Sequence, residues 1–194
     1  MYKLLRNILF CLPAEASHNL ALHAMKIGDG LGASALLAAD TAGKAQSKRL
    51  MGIDFPHIVG LAAGLDKNAD YVDALAAMGF GFIEVGTLTP RPQPGNPKPR
   101  MFRLKAEQAI INRLGFNNKG IEHACENISK LRARGVLGIN IGKNFDTPVE
   151  HASQDYIHCL RRAYVLADYI TVNISSPNTP GLRNLQFGDE FNSL

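Results

Sequence analysis

The chain has 194 residues, of which 46% are hydrophobic and 20% are charged, and its formal net charge is +4. This composition is typical of a soluble globular α/β protein with one domain and room for a small appendage. Because the net charge is modest and the lysines and arginines are scattered, the electrostatic footprint of a nucleic-acid-binding protein is missing, and we predict no nucleic-acid partner.

The cysteines and histidines indicate neither a disulfide framework nor a metal site. The three cysteines are odd in number and widely spaced, at Cys11, Cys125 and Cys159. Such spacing argues against disulfides and against the paired ligands of zinc or iron–sulfur sites, and it favours a reducing compartment. The six histidines show no HExxH or related pairing, so each is expected to be a surface or hydrogen-bonded residue. We therefore predict no metal.

Residues 1–45 differ from the rest of the chain and predict an N-terminal extension of two short amphipathic helices. Two apolar stripes with helical spacing precede a glycine-rich loop at residues 28–32. The first stripe is far shorter than the about 20 apolar residues of a membrane-spanning helix. A weak similarity to a signal peptide is broken by Arg6, Asn7 and Pro13. Two interpretations remain: the helices pack against the main domain, or they form an interfacial pair that admits a lipid-soluble molecule.

From residue 51 onward the chain alternates predicted strands and helices. A short buried strand is predicted at residues 58–62, further strands at residues 82–86, 136–141 and 169–174, and helices at residues 69–78, 120–134 and 153–166. Five prolines fill a long connection at residues 90–99, and residues 101–111 are predicted to form small antiparallel pieces. The alternation predicts a parallel α/β array.

Small and polar residues follow each predicted strand, at residues 63–68, 87–89, 142–144 and 173–183. A dinucleotide-binding sheet would open its first helix with GxGxxG, and residues 60–67 fit neither that fingerprint nor the phosphate-binding GxxxxGK[ST]. Polar residues distributed over successive strand ends are typical of a (β/α)₈ barrel, whose active site lies at the carboxyl ends of its strands. We therefore predict an α/β fold of the (β/α)₈ TIM-barrel family.

Five motifs, in this order along the chain, resemble those of dihydroorotate dehydrogenase. They are GLAAGLDK at residues 60–67, EVGTLTPRPQPGN at 84–96, NRLGFNN at 112–118, GINIGKN at 138–144 and NISSPNTPGLR at 173–183. Two features are similar to the membrane-associated, quinone-dependent class 2 of this family: the N-terminal extension, and a serine, Ser176, at the base position where the soluble class carries cysteine. Both features disfavour the soluble class.

The resemblance implies oxidation of (S)-dihydroorotate to orotate with FMN as cofactor and a quinone as acceptor, in de novo pyrimidine (UMP) biosynthesis. This reaction removes a proton from C5 and transfers a hydride from C6 to N5 of FMN, so a base must face the flavin across the substrate. The resemblance assigns Ser176 as that base, and Thr179, three residues further on, is expected to begin the proton path that a serine base needs. Because a serine hydroxyl is a poor base at neutral pH, a dry and preorganised site is expected.

The resemblance also assigns binding residues. Substrate contacts map onto Lys67, Asn112, Arg113, Leu114, Gly115, Phe116, Asn173 and Asn178. Flavin contacts map onto Ala63, Gly64, Leu65, Asp66, Lys67, Thr87, Asn140 and Asn173, many of them through backbone groups. Lys143 is expected to be solvated or to face a phosphate and receives no role. Glu15 and His18 match the extension of the family loosely, and they either line a quinone tunnel or belong to an ordinary helix surface.

The length of the chain departs from the family. A (β/α)₈ barrel commonly takes about 250 residues, whereas the sequence after the extension has room for about four strands. We therefore expect an N-terminal part of a longer enzyme, with the extension at residues 1–45 and the first half of an FMN-binding barrel at residues 46–194. The resemblance implies peripheral contact with the cytoplasmic face of a bacterial cell membrane. The alternative is a catalytically inactive half-barrel that acts only as a binding or assembly module.

Overall fold

The structure, a computed structural model, describes residues 2–33, 47–132, 135–192 and 194. Its helices and strands are α1 (Tyr2–Leu9), α2 (Ala14–Gly30), β1 (Lys48–Leu50), β2 (Ile53–Phe55), α3 (Val72–Ala76), β3 (Phe82–Leu88), β4 (Met101–Leu104), β5 (Ala109–Asn112), α4 (Ile121–Ile128), β6 (Val136–Ile141), α5 (Ala152–Ala163), β7 (Tyr169–Val172) and α6 (Gly188–Asn192). Short 3-10 helices lie at Val149–His151 and Leu182–Gln186. The last part of the predicted extension, residues 34–45, and the last two residues of the predicted helix 120–134 lie outside the described residues.

A parallel sheet in the order β3–β6–β7 lies at the centre of the described structure. Val85 pairs with Ile139 between the first two strands, and Ile139 pairs with Ile170 between the second two. Val85 and Ile139 are fully buried, because α3 packs on β3 and α5 packs on β6 and β7. The predicted parallel α/β array and the antiparallel pair β4–β5 are confirmed.

The predicted buried strand at residues 58–62 is wrong in part. The segment runs beside β3, with Leu61 N–H donating to Phe82 O at 2.9 Å and Glu84 N–H donating to Leu61 O at 2.8 Å. Ile58 and Val59, however, are 57% and 53% exposed. Within the described ranges no strand pairs with the outer side of this segment, which therefore lies at an edge of the sheet.

Several predicted helix boundaries are also wrong. The helices predicted at residues 120–134 and 153–166 end earlier, at Ile128 and Ala163, and two further differences have a local reason. The predicted helix 69–78 shortens to α3, because the carboxylate of Asp66 accepts the backbone N–H groups of Asp70 and Tyr71 and so folds the residues before Val72 into a turn. The predicted loop at residues 28–32 is partly helical, since α2 continues to Gly30.

The N-terminal helices dock on the main domain through α2. Leu22 of α2 is buried in the core, and Lys26 Nζ donates to the carbonyl oxygen of Asp70 at 2.9 Å. Near the start of α2, the carboxylate of Glu15 binds the guanidinium of Arg100, with Nη2 to Oε1 at 2.6 Å and Nε to Oε2 at 3.1 Å. In contrast, α1 leaves apolar side chains exposed, among them Leu4 at 68%. None of the described helices combines the length and the apolar character that crossing a membrane requires.

Candidate functional site

Three polar side chains at the carboxyl ends of the parallel strands form one hydrogen-bonded group, which we call the strand-end cluster: Thr87 of β3, Asn140 of β6 and Asn173 after β7. The Thr87 hydroxyl donates to Asn140 Oδ1 at 2.6 Å. Asn173 Nδ2 donates to Thr87 Oγ1 at 3.1 Å and to Asn140 Oδ1 at 3.2 Å. These are three of the predicted flavin contacts, and they meet because parallel strands end at one edge of a sheet.

Gly86 allows a loop to close beside the strand-end cluster. Its φ is +109°, and a Cβ at this position would lie 2.5 Å from the carbonyl oxygen of Asn140, so only glycine fits. Gly64 N–H donates to Gly86 O at 2.9 Å, and Gly86 N–H donates to Asp66 O at 3.0 Å. These bonds hold residues 63–67 against the end of β3.

Asp66 shapes this loop from inside. Its carboxylate is 1% exposed and accepts the N–H groups of Asn68, Asp70 and Tyr71 at 3.2, 3.0 and 2.8 Å. Burial raises the pKa of the Asp66 carboxyl, and the three N–H donors oppose that rise. Since both carboxylate oxygens are used within the loop, Asp66 can offer a cofactor only its backbone.

Lys67 carries the cation of the site. Its side chain is half-buried, and its ammonium donates to the carbonyl oxygen of Gly64. Burial is the main reason why the pKa of Lys67 lies below its ordinary value of 10.5. The charge therefore lies in partly dehydrated surroundings, where its attraction for a carboxylate is stronger than in water.

The segment of residues 112–116, which we call the wall segment, is held by two side chains of the proline-rich connection. Asn96 Nδ2 donates to the carbonyl oxygen of Arg113 at 2.9 Å and to that of Asn178 at 3.4 Å. Gln93 Nε2 donates to the carbonyl oxygens of Gly115 and Phe116, each at 3.2 Å. The proline-rich connection thus supports one side of the site, and Asn96 ties the wall segment to the loop of residues 173–183.

These elements enclose a cleft of about 300 Å³. It is lined by Ala62, Ala63, Gly64, Lys67, Glu84, Gly86, Thr87, Asn112, Leu114, Gly115, Phe116, Asn140, Asn173, Ser176 and Asn178. The structure therefore brings most of the predicted site residues together. Ala62, Glu84 and Gly86 are lining residues that sequence reasoning missed, although all three lie inside the quoted motifs.

The loop of residues 173–183, which we call the serine loop, places one hydroxyl in the cleft and buries another. Ser176 is half-buried, and its Oγ accepts the backbone N–H of Asn178 at 3.2 Å. Thr179 is 4% exposed, and its Oγ1 has no hydrogen-bond partner among the described residues. A buried hydroxyl in this state keeps both its donor and its acceptor capacity unused.

Comparison with known proteins identifies the family. The family model described as dihydroorotate dehydrogenase matches residues 46–194. The chain belongs to the dihydroorotate dehydrogenase family. It is 60% identical to the protein named dihydroorotate dehydrogenase (quinone) of Marinobacter nauticus and 57% identical to that of Azotobacter vinelandii, over all of this chain and 56% and 55% of theirs. The chain thus spans about half the length of the curated relatives it matches.

Solved structures of the family agree with the fold. The crystal structure of DHODH from Eimeria tenella in complex with ferulenol matches with a TM-score of 0.80 and 42% identity, covering 92% of this chain and 48% of that one. The ligand-free form from the same organism matches with a TM-score of 0.70 and 47% identity, covering 76% of this chain and 43% of the other. The predicted family and the predicted TIM-barrel fold class are confirmed.

A few predicted dihydroorotate dehydrogenase residues lie away from the cleft. The guanidinium of Arg113 donates to the carbonyl oxygen of Pro99 at 3.0 Å and is exposed. Leu65 and Asp66 line a neighbouring cleft of about 250 Å³ beside α2. Thr179 is buried and is not one of the residues that line the cleft. For these residues the motif was informative, but the direction of each side chain could not be read from it.

Lys143 differs from its prediction of a solvated or phosphate-facing side chain. It is 1% exposed, and its ammonium donates to the carbonyl oxygens of Thr147 at 2.8 Å and Asn144 at 3.2 Å. Burial lowers the pKa of Lys143. Its side chain therefore braces the loop after β6.

Glu15 and His18 line the neighbouring cleft together with Lys67. Burial and the charge of Lys67 lower the pKa of His18, which favours a neutral imidazole there. The carboxylate of Glu15, by contrast, is engaged by Arg100. Both residues thus line this cleft, and Glu15 in addition docks α2 through Arg100.

The cysteines offer no reactive thiol in the interior. All three are free, and burial raises the pKa of the Cys125 and Cys159 thiols, which disfavours the reactive thiolate. In the ranges that the structure describes, no group of His, Cys, Asp and Glu side chains is assembled for a metal ion.

Proposed function

We propose that this chain supplies the base and the flavin-ring side of a quinone-dependent dihydroorotate dehydrogenase. The reaction is the oxidation of (S)-dihydroorotate to orotate in de novo pyrimidine (UMP) biosynthesis, with FMN as cofactor and a quinone as acceptor. One observation carries the proposal: Ser176, Asn112, Asn178 and Lys67 line the same cleft as the strand-end cluster. The names of the curated relatives support the quinone.

The lining residues fit the ring of FMN. The edge of that ring alternates N–H and C=O groups, and the amides of the strand-end cluster donate and accept without adding charge. Ala63, Gly64 and Gly86 leave backbone groups of the cleft uncovered, and at Gly86 any larger residue would clash. When bound, FMN supplies the acceptor for the hydride of the substrate.

Ser176 is proposed as the base that removes the C5 proton of dihydroorotate. The buried hydroxyl of Thr179, which lacks a partner among the described residues, supports its role as the next group on the proton path. Asn112, Asn173 and Asn178 are proposed to bind the polar ring edge of the substrate, and Lys67 its carboxylate. The wall segment is proposed to close one side of the site and to exclude water.

We propose two parts for the polypeptide: the extension at residues 1–45, and a portion of the FMN-binding barrel at residues 46–194. The extension is proposed to contact the cytoplasmic face of a bacterial cell membrane peripherally and to admit the quinone. The exposed apolar side chains of α1 and the cleft between α2 and the main domain support this assignment.

We expect a full-length protein that contains this chain to bind FMN, which colours it yellow, and its flavin to be reduced by dihydroorotate. The test uses a chimera in which this chain replaces the matching part of the Marinobacter nauticus relative. Dihydroorotate should bleach the flavin absorbance of the chimera, and ubiquinone rather than fumarate should restore it. The 194-residue chain is measured in parallel. If this chain is colourless and self-associated while the chimera is active, the result would favour the alternative that the chain by itself is an inactive binding or assembly module. A chimera that binds no flavin would contradict the proposal.

Substrate binding should weaken as the pH rises. Burial lowers the pKa of Lys67 from its ordinary 10.5, so the ammonium loses its proton at a lower pH than an exposed lysine does, and only the protonated form attracts the carboxylate of the substrate. Orotate affinity of the flavin-loaded chimera is measured between about pH 7 and pH 10. In Lys67→Arg the guanidinium stays charged over this range, so its affinity should fall less steeply with pH than that of the parent chimera. Equal profiles in both proteins would contradict the role of Lys67.

A further inference from the structure

Glu84 is an acidic side chain in the cleft that the proposed mechanism leaves unused. It lies in the middle of β3 and lines the cleft beside the strand-end cluster. Its Oε1 accepts Nδ2 of Asn140 at 2.8 Å, and its Oε2 accepts the hydroxyl of Tyr169 at 3.1 Å. Both carboxylate oxygens therefore have a partner, one in the neighbouring strand β6 and the other in β7, beyond it.

The contact fixes the orientation of the Asn140 amide. A carboxylate only accepts hydrogen bonds, so Asn140 must turn its Nδ2 toward Glu84 and its Oδ1 toward Thr87 and Asn173. The bonds then run in one direction, from Asn173 through Thr87 to Asn140 and on to Glu84. A partner without an acceptor would leave Asn140 Nδ2 unpaired, and this orientation of the amide would lose one of its hydrogen bonds.

A glycine in the central strand makes the arrangement possible. Gly138 of β6 pairs with Glu84 on one side and with Tyr169 on the other. A Cβ at Gly138 would collide with the Tyr169 ring, so the tyrosine can cross β6 and reach Glu84 only because residue 138 is glycine. Burial and the charge of Glu84 raise the pKa of Tyr169, and its hydroxyl stays a donor.

We propose that Glu84 is a positioning residue of the flavin site, which orients the Asn140 amide and places a fixed negative charge at the cleft. The inference rests on the proposed flavin-dependent function. A negative charge at a redox site opposes the uptake of electrons. Glu84 therefore keeps the midpoint potential of bound flavin lower than a neutral residue of the same shape would.

Two substitutions at Glu84 separate orientation from charge in the chimera. Glu84→Gln keeps an acceptor for Asn140 and removes the charge, so the flavin dissociation constant should stay within about threefold while the midpoint potential becomes more positive. Glu84→Leu removes the acceptor, leaves Asn140 Nδ2 unpaired, and should weaken flavin binding roughly five- to hundredfold. Dissociation constants come from fluorescence titration, and potentials from spectroelectrochemistry.

Two further variants are the controls. Glu126→Gln removes a charge at an exposed position of α4 and should leave the potential unchanged. Tyr169→Phe removes the second bond of Glu84 but keeps that to Asn140, so flavin affinity should stay within about threefold. If Glu84→Leu does not fold, the potential of Glu84→Gln decides alone.

An unchanged potential in Glu84→Gln, or unchanged flavin affinity in a folded Glu84→Leu, would overturn the inference while leaving the proposed function intact. A parent chimera that binds no flavin would overturn both. A positive shift confined to the Glu84 variants is the expected result.

Discussion

Replacing Ser176 by alanine is expected to slow the reduction of bound flavin by dihydroorotate about 10²- to 10⁴-fold at neutral pH. The substitution removes the proposed base and leaves the amides and Lys67, which bind the ring and the carboxylate, in place. Flavin and orotate affinities should therefore change little, and the loss should fall on the chemical step. Stopped-flow reduction of the chimera measures this step directly.

Ser175→Ala is the matched control for this experiment. Its hydroxyl contacts Asn173 Oδ1 at 3.3 Å, and the backbone N–H of the same residue makes a parallel bond at 3.1 Å that survives the substitution. We expect less than about a threefold change in the reduction rate. Reduction at the parent rate in Ser176→Ala would assign the base to another group.

The strand-end cluster was predictable because it depends on one rule of parallel sheets. Residues that follow separate strands converge at the carboxyl edge whatever their distance in sequence, so motifs around Thr87, Asn140 and Asn173 indicate one site before any coordinates are known. The family motifs then added Ser176 and the wall segment. The proximity of these side chains was therefore predictable from their positions along the strands.

Side-chain direction was not predictable from the same motifs. Glu84 lies within the run of residues 82–86 that predicts a strand, and its tyrosine partner is 85 residues away. The carboxylate of Asp66 turns into its own loop, and Lys143 folds back onto nearby carbonyl oxygens. Each case depends on a local hydrogen-bond choice, and a sequence without coordinates leaves that choice open.

Arg100 links the N-terminal helices to the proline-rich connection beside the cleft. Its side chain is 6% exposed and binds Glu15, whose side chain is 19% exposed. The third nitrogen of the guanidinium, Nη1, donates to the carbonyl oxygens of Pro94 and Asn96. Since Asn96 also holds the wall segment, one buried cation contacts both α2 and the loop beside the cleft.

Arg100→Met is therefore expected to lower the free energy of unfolding by about 2–3 kcal/mol. Removing one member of a fully buried pair costs about 3–5 kcal/mol. The expected loss is smaller here because Lys98 Nζ still lies 3.6 Å from Glu15 Oε1. Lys98→Met is the control, and because Lys98 is 67% exposed it should cost less than about 1 kcal/mol. Urea unfolding of the chimera measures both.

The pH dependence of the difference in unfolding free energy between the parent chimera and Arg100→Met independently tests the role of the ion pair. The hydrogen bonds of Arg100 hold the pKa of the Glu15 carboxyl below its ordinary value of 4.5. A lowered folded-state pKa stabilises the protein above the unfolded-state value, and this contribution is lost as the pH falls through the folded-state pKa. The gap between the parent and Arg100→Met should therefore narrow as the pH falls below 4.5. A gap that stays constant there would show that packing, rather than the ion pair, carries the loss.

Weakening the attachment of α2 should also affect the two half-reactions, flavin reduction by dihydroorotate and flavin reoxidation by quinone, to different extents. The cleft between α2 and the main domain is the proposed quinone entrance, whereas the cleft of Ser176 is formed by strand ends and loops. In Arg100→Met, and more strongly after deletion of residues 1–45, reoxidation by ubiquinone should slow more than reduction by dihydroorotate. Equal losses in both half-reactions would instead mean that the extension supports the whole barrel, because an entrance that serves quinone alone cannot slow a step that occurs without it.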